Sequence, residues 1–259
     1  MKNKPYAAPE FGDRFALPIR EPEHIMDPLL ISAASGMKSR MESLDMLAND
    51  IANSGTAGFK TDGEFYGLYQ QELPVLEKQW TDFSQGTLTP TGNPLDLALS
   101  GDGFFALNSP TGTVYTRKGE FRLSKRNQLQ TPEGYTLRNA ADNGKPIQVD
   151  PAQPFDIAAD GSVLQGGMTV GQIEIDGIDS PSQALSKLGN SYFAKLPNTA
   201  STKAAAVVHQ GMLEQSNVGV ADAAVKLVSV MRQFEMLQKA MTSGAEMNRQ
   251  AIEEVAKVS

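Results

Sequence analysis

An α+β fold is predicted, with long N- and C-terminal helices forming a coiled-coil-like layer and a central antiparallel β-rich domain. Three features predict this fold class. Apolar residues recur at alternating steps of three and four near both ends of the chain, and short strand-like runs separated by turns fill the middle. Small and flexible residues mark the two boundaries between these patterns.

The first helix is predicted over 27–53. Asp27 followed by Pro28 is typical of a helix start, because an Asp side chain caps free N–H groups and proline fits the first turn. Asn53 to Gly55 supply the stop, since glycine readily adopts the left-handed turn after a helix. The apolar stripe between them follows the seven-residue spacing that keeps one face towards a partner helix: Leu30, Ala34, Met37, Met41, Leu44, Ala48 and Ile51.

The last helix is predicted from about Val220 to about Val255. Its stripe has the same spacing: Val220, Ala223, Leu227, Val230, Phe234, Leu237, Met241 and Ala245. The other face carries acid-before-base pairs four residues apart, such as Glu235 with Lys239, which indicates a solvated helix surface.

The middle of the chain is predicted to be β-structure from about Gly86 to about Gly177. Turns such as "SPTG" at 109–112 and "TPEG" at 131–134 recur between apolar runs, which favours an antiparallel sheet or an open barrel over parallel β-α-β units. The predicted organisation is a disordered extension over 1–25, a helix and turn-out segment over 26–60, a linker over 61–85, a β-rich domain over 86–205 and a C-terminal segment over 206–259.

Composition excludes several functional classes. The net charge of −7 argues against a protein that follows a nucleic-acid backbone, and the absence of cysteine excludes disulfides and thiolate chemistry. No stretch approaches the ~20 apolar residues of a membrane helix. The first 25 residues contain prolines and mixed charge, so we expect any export to occur without a cleaved signal peptide.

The sequence offers no catalytic, cofactor or metal constellation. The two histidines, His24 and His209, are not at metal-ligand spacing, and "GDGFF" at 101–105 lacks the glycine spacing of a phosphate loop. Asp96 and Asp102 are the candidate carboxylate pair for a glycosidase, although nothing in the sequence supports the required geometry. We therefore expect no enzyme activity and no cofactor.

Methionine is concentrated in the two predicted helices, which hold seven of the chain's eleven: Met37, Met41, Met46, Met231, Met236, Met241 and Met247. Methionine adapts its shape, so it suits an interface with several non-identical neighbours. The alternative is ordinary core filling within a two-helix hairpin. Two helices joined through a distant β-domain give a thin core, which favours assembly with other subunits.

Four segments resemble the axial proteins of the bacterial flagellum, in particular their rod and hook group: "LANDIANSGTAGFK" at 47–60, "GTLTPTGNPLDLALSGDGFFAL" at 86–107, "YTRKGEFRL" at 115–123 and "QGMLEQSNV" at 210–218. The resemblance extends over 26–258. Within the group, "MRQFEMLQKAM" at 231–241 is more similar to the proximal rod proteins than to the distal ones. Members usually begin where Met26 stands, so we expect residues 1–25 to be dispensable.

The resemblance implies a structural subunit of the basal-body rod. Such a subunit polymerises through its terminal helices with copies of itself and other rod proteins, and transmits torque from motor to hook. It is exported by the flagellar type III apparatus to the periplasmic rod, without nucleic-acid binding or membrane insertion. The assembly interface expected from the two stripes comprises Leu30, Met37, Met41, Leu44, Ile51, Leu227, Val230, Phe234, Leu237 and Met241.

Two alternatives from other classes are kept. A β-rich adhesin or binding module needs a receptor surface on the β-domain, and a cell-wall hydrolase needs a carboxylate pair or metal cluster in a cleft.

Overall fold

The computed structural model describes residues 28–68, 74–189, 191–197 and 199–258. The predicted extension over 1–25 and the expected start at Met26 lie outside these residues. Three helices occur in the described part: α1 (Pro28–Ala52), α2 (Pro181–Ala184) and α3 (Val220–Val258), with a short 3-10 turn at Ala140–Asp142.

Helices α1 and α3 pack against each other in antiparallel directions. Gly36, early in α1, lies against Leu237 in the middle of α3, whereas Leu47 and Asp50, at the end of α1, line one groove with Ala223 at the start of α3. The helices differ in length, with 25 residues in α1 and 39 in α3. At ~1.5 Å per residue, α3 is roughly 20 Å longer than α1.

Strand pairing forms five separate sheets in the described residues. The largest has nine strands and is antiparallel. Its members are β5 (Phe104–Ser109), β6 (Gly112–Thr116), β7 (Arg122–Leu123), β8 (Leu129–Gln130), β9 (Thr136–Leu137), β13 (Ile175–Gly177), β14 (Leu185–Gly189), β15 (Tyr192–Lys195) and β16 (Thr202–Lys203).

Four smaller sheets occur in the described residues in addition to the nine-stranded one. A three-stranded sheet contains β10 (Phe155–Ile157), β11 (Ser162–Gln165) and β12 (Met168–Gln172). Three two-stranded pairs are β1 (Asp62–Leu68) with β2 (Pro74–Thr81), β3 (Leu88–Pro90) with β18 (Met212–Glu214), and β4 (Leu97–Ser100) with β17 (Val207–Gln210). Strands β3 and β4 therefore pair with the segment that precedes α3. We call the part of the chain from β4 to β17 the β-rich body.

The predicted fold class is wrong. It assigned two long terminal helices to one layer beside a central β-domain, whereas the C-terminal α3, with 39 residues, far exceeds α1, with 25, and β-structure dominates the described part. Strands begin at Asp62, before the predicted boundary at Gly86, and continue to Glu214. Residues 61–85, expected as a linker, contain the β1–β2 hairpin. The strands up to Glu214 pair with distant segments, β17 with β4 and β18 with β3, and local periodicity does not show such pairing.

The hydrophobic core belongs to the β-rich body. One cluster is centred on Phe105, Leu107, Leu129 and Leu137, and a second cluster surrounds Phe104 and Phe193. The helix pair contributes to neither cluster. Its buried apolar side chains are only Ala33, Leu47, Ala223 and Val230 among the described residues. The helices are thus held by a thin seam, while the β-rich body has a core of its own.

Candidate assembly site

The seam between α1 and α3 uses small and polar residues on the α1 side. Its buried positions recur at steps of three and four: Ala33, Gly36, Ser39, Ser43, Leu47 and Asp50. The α3 side follows the predicted stripe from Ala223 to Met241: Ala223 and Val230 are buried, and Leu227, Phe234, Leu237 and Met241 are half-buried. At the ends of the stripe Val220 and Ala245 are exposed, and Gly244 is buried instead. Small side chains let the helices approach closely, so the packed face of α1 lies one residue before the predicted apolar stripe.

The predicted α1 stripe consequently lies beside the packed face. Met37, Leu44 and Ile51 are half-buried, while Met41 is 53% exposed. The side chain of Leu30 lies outside the described residues. On α3, Val230 is buried and Leu237 packs against Gly36 of α1, while Leu227, Phe234 and Met241 are half-buried. Of the expected interface residues whose side chains are described, Met41 alone is exposed.

Apolar side chains also cover the outer face of the first half of α3. Val225 is 71% exposed, and Val228, Met231 and Met236 are exposed beside it. On α1, Ile31 and Met41 are exposed. We call these exposed apolar side chains of the two helices together the outer apolar face. Exposed apolar patches of this kind mark interaction sites in soluble proteins.

The four sequence segments that carry the family resemblance meet at one buried carboxylate, Glu214. Its Oε1 accepts hydrogen bonds from Lys60 Nζ at 2.6 Å and from the backbone N–H of Gly86 at 3.0 Å. Its Oε2 accepts from Arg117 at 3.3 Å. The side chains of Lys60, Arg117 and Glu214 are 0%, 4% and 0% exposed. We call these three residues the ionic joint.

Backbone contacts bring the segments of the joint together. The N–H of Gly58 donates to the carbonyl of Glu214 at 2.7 Å, and the Asn217 side chain accepts from the N–H of Thr61 at 2.9 Å. Gly58 has φ +64°, and a Cβ there would lie 2.3 Å from the backbone nitrogen of Lys118. A Cβ at Gly86 would lie 1.9 Å from the carbonyl oxygen of Gln215. Both glycines are therefore required by close backbone approach.

Burial dominates the electrostatics of the joint. Desolvation lowers the pKa of the Lys60 ammonium and of the Arg117 guanidinium, and the nearby Glu214 opposes the shift in both. Lys60 Nζ also donates to Ser84 O and Arg117 Nη2 to Gly101 O, each at 2.6 Å. The buried Nε of Arg117 has no hydrogen-bond partner in the described part of the chain. The joint is thus a hydrogen-bonded cluster inside the protein and presents no open reactive group.

A groove lies where the helix pair meets the β1–β2 hairpin. It is lined by apolar side chains such as Leu47, Val230 and the half-open Trp80, together with the carboxylate of Asp50. Thr61 Oγ1 donates to Asp50 at 2.6 Å. Burial raises the pKa of Asp50, and Asp62 adds to the shift, whereas the hydrogen bonds and Lys187 oppose it.

The residues considered above for catalysis and metal binding lie at structural positions of the fold. Asp96 accepts hydrogen bonds from Thr91 at 2.7 Å and from Asn93 at 2.9 Å, which shapes the loop between β3 and β4. His209 is half-buried on β17, and His24 lies outside the described residues. No cluster of three or more metal-ligating side chains occurs within the described ranges. None of the helices in that part of the chain combines the length and apolar character needed to cross a bilayer.

Sequence reasoning missed the ionic joint. Lys60 and Glu214 are 154 positions apart, so no local pattern links them. The one available hint is that each charged residue stands inside a segment of the family resemblance: Lys60 in 47–60, Arg117 in 115–123 and Glu214 in 210–218.

Two family models match the chain. The model for the flagellar hook protein FlgE/F/G D1 domain matches residues 98–165, within the β-rich body. The model for the flagellar basal body rod FlgEFG protein C-terminal region matches residues 209–254, which contain β18 and most of α3.

The sequences of curated relatives match this chain over nearly their whole length. The flagellar basal-body rod protein FlgF of Mesorhizobium japonicum is 32% identical, over 88% of this chain and 97% of its own. FlgF of Caulobacter vibrioides is 34% identical, over 90% of this chain and 100% of its own. FlgG of Bacillus subtilis is 30% identical, over 86% and 97%. These two FlgF proteins are slightly more similar to the chain in sequence than this FlgG is. The chain therefore belongs to the FlgE/F/G family of flagellar basal-body rod and hook proteins.

Proposed function

We propose that the chain is a structural subunit of the flagellar basal-body rod that polymerises through its terminal helices and transmits torque from motor to hook. The outer apolar face carries this proposal. Fully burying one such Val, Leu, Ile or Met side chain contributes ~1.5–3 kcal/mol, so several together favour association strongly. Relatives named as basal-body rod proteins support the same role, and an adhesin or a hydrolase is not favoured.

In this proposal, neighbouring subunits pack on the outer apolar face, which lies on α1 and on the outer side of α3. We assign direct contacts to Met37, Met41, Leu44 and Ile51, with Leu30 extending the stripe, and add Val225 and Met236 from α3. Leu227, Val230, Phe234, Leu237 and Met241 act from inside the subunit by holding α1 in place. The flexible methionines let one face fit both identical copies and other rod proteins.

The role requires no catalytic group, nucleic acid or membrane insertion. We propose that the chain reaches the periplasmic rod through the flagellar type III export apparatus and assembles there. The net charge of −7 is compatible with this role and argues against nucleic-acid binding.

Charge placed on the outer apolar face tests the proposal. In cells carrying Met41→Asp or Val225→Asp, we expect folded protein but no complete rods and no swimming. The exposed side chains tolerate a charge in the free subunit, whereas the interface must desolvate it without a counter-ion. The matched control is Met168→Asp, at an exposed methionine of the β-rich body.

The measurements are swimming in soft agar, immunoblots of purified basal bodies and circular dichroism of the purified variants. Normal swimming of both helix variants would refute the assigned face.

A further inference from the structure

The ionic joint stands where both helices enter the β-rich body. Lys60 follows the end of α1 at Ala52, and Glu214 closes β18 shortly before α3 begins at Val220. Arg117 follows β6 of the nine-stranded sheet. Glu214, from the segment before the C-terminal helix, therefore contacts Lys60 from the segment after the N-terminal helix and Arg117 from the β-rich body.

The charges in the joint are unequal. Lys60 and Arg117 are two buried cations, and Glu214 is the carboxylate within ion-pair distance of either in the described part of the chain. Asp82 and Asp102 act on Lys60 and Arg117 only at longer range. Loss of the Glu214 charge leaves two buried like charges unpaired, whereas loss of the Lys60 charge leaves a one-to-one pair.

We propose that Glu214 is the positioning residue of an ionic lock that docks both terminal helices onto the β-rich body as a single unit. The lock closes only when segments 154 and 97 positions apart in sequence are in place. Opening it releases the helix pair and leaves the β-rich body folded, because the two hydrophobic clusters pack through their own side chains. Arg117 stays with the β-rich body, where its guanidinium carbon lies 5.3 Å from the centre of the Phe104 ring.

The lock belongs to the isolated chain, so its test is independent of the assembly role. Hydrogen exchange of the purified full chain, read by mass spectrometry, compares peptides from 33–60 and 212–237 with peptides from 97–165. In Glu214→Gln we expect at least tenfold faster exchange in the first two regions and less than twofold change in the third. Lys60→Met should accelerate the same regions by a smaller factor, because Arg117 and Glu214 still pair.

Two further variants separate charge from packing. Glu133→Gln, at a partly exposed carboxylate paired with Lys118 at 3.2 Å, is the matched control and should change none of these regions. The charge-free triple variant Lys60→Met, Arg117→Met, Glu214→Leu should restore exchange to within about threefold of the wild type, because apolar replacement of a buried ionic cluster is often tolerated.

Unchanged exchange in Glu214→Gln, or equal acceleration in all three regions, would overturn the lock. A triple variant as open as Glu214→Gln would also overturn it, since charge balance would then not be the cause. If Glu214→Gln does not accumulate as folded protein, Glu214→Asp serves in its place. Its shorter side chain should accelerate exchange in 33–60 and 212–237 but not in 97–165, and equal acceleration in all three regions would count against the proposal.

Discussion

At the scale of single residues, buried charge sets the properties of the junction between the helices and the β-rich body. Asp50 is 3% exposed, accepts from the Thr61 hydroxyl and lies near the Asp62–Lys187 ion pair, whose atoms are 2.7 Å apart. Asp222 and Lys226 line the same groove. Burial of the Asp50 carboxylate therefore imposes a desolvation cost on its charged form.

Because of this desolvation cost, Asp50 makes the free energy of unfolding decrease as pH rises. Burial raises the pKa of Asp50 above its ordinary value of 3.8, so the folded state binds a proton more tightly than the unfolded state. Between 3.8 and the raised pKa, stability must fall as pH rises. Asparagine does not titrate in this range, so Asp50→Asn removes the contribution of Asp50 to the pH dependence of stability.

We expect the free energy of unfolding of the wild type, minus that of Asp50→Asn, to increase as pH is lowered from 7 towards 4. Urea unfolding of both proteins at several pH values measures it. A difference that stays constant or decreases would contradict the assignment.

At the scale of elements, the helix seam distinguishes two neighbouring residues of α3. Leu237 lies against Gly36 of α1, where a Cβ would be 3.3 Å from Leu237 Cδ1, whereas Met236 is 61% exposed on the outer side. We expect Leu237→Ala to destabilise the helix pair by about 1–2 kcal/mol, less than for a fully buried leucine, and Met236→Ala to change it by less than about 0.5 kcal/mol.

Urea titrations followed by ellipticity at 222 nm compare the two variants. Assembly in cells should show the reverse order, with Met236→Ala the more harmful to rod formation. Equal effects of the two variants on the free subunit would mean that the seam is assigned to the wrong face of α3.

The same seam shows what sequence can and cannot predict. Periodicity located the stripe of α3, because Val230 and Leu237 are both apolar and face the partner helix. It placed the stripe of α1 one residue away, because it favoured Met41 and Leu44 over the small Gly36 and Ser43 that allow close approach. The ionic joint escaped prediction because it depends on contacts between distant segments. The β1–β2 hairpin is local, and it escaped because residues 69–73 contain neither glycine nor proline to mark a turn. Four motifs identified the family correctly, yet only the fold shows that they meet at Glu214.

At the scale of the whole molecule, stability is distributed unevenly. The two hydrophobic clusters lie in the β-rich body, and the helix pair buries only four apolar side chains among its described residues. Regions with few buried apolar contacts open at lower free energy than the core. The helix pair should therefore unfold before the β-rich body.

The single tryptophan of the chain allows this order to be measured. Trp80 packs on Gly63 and lines the groove with Leu47 and Val230, so its fluorescence reports the junction. In a urea titration of the free subunit, we expect Trp80 emission and ellipticity at 222 nm to change together in a first transition. Near-ultraviolet ellipticity of the tyrosines in the β-rich body should change in a second transition at higher urea.

Glu214→Gln should move the first transition to lower urea and leave the second in place, because only the docking of the helices depends on the joint. Coincident transitions in the wild type would show that helices and β-rich body unfold as one cooperative unit. In an assembled rod, burial of the outer apolar face adds stability to the helix pair alone. The first transition should then move up to or beyond the second, since association stabilises whichever part it binds.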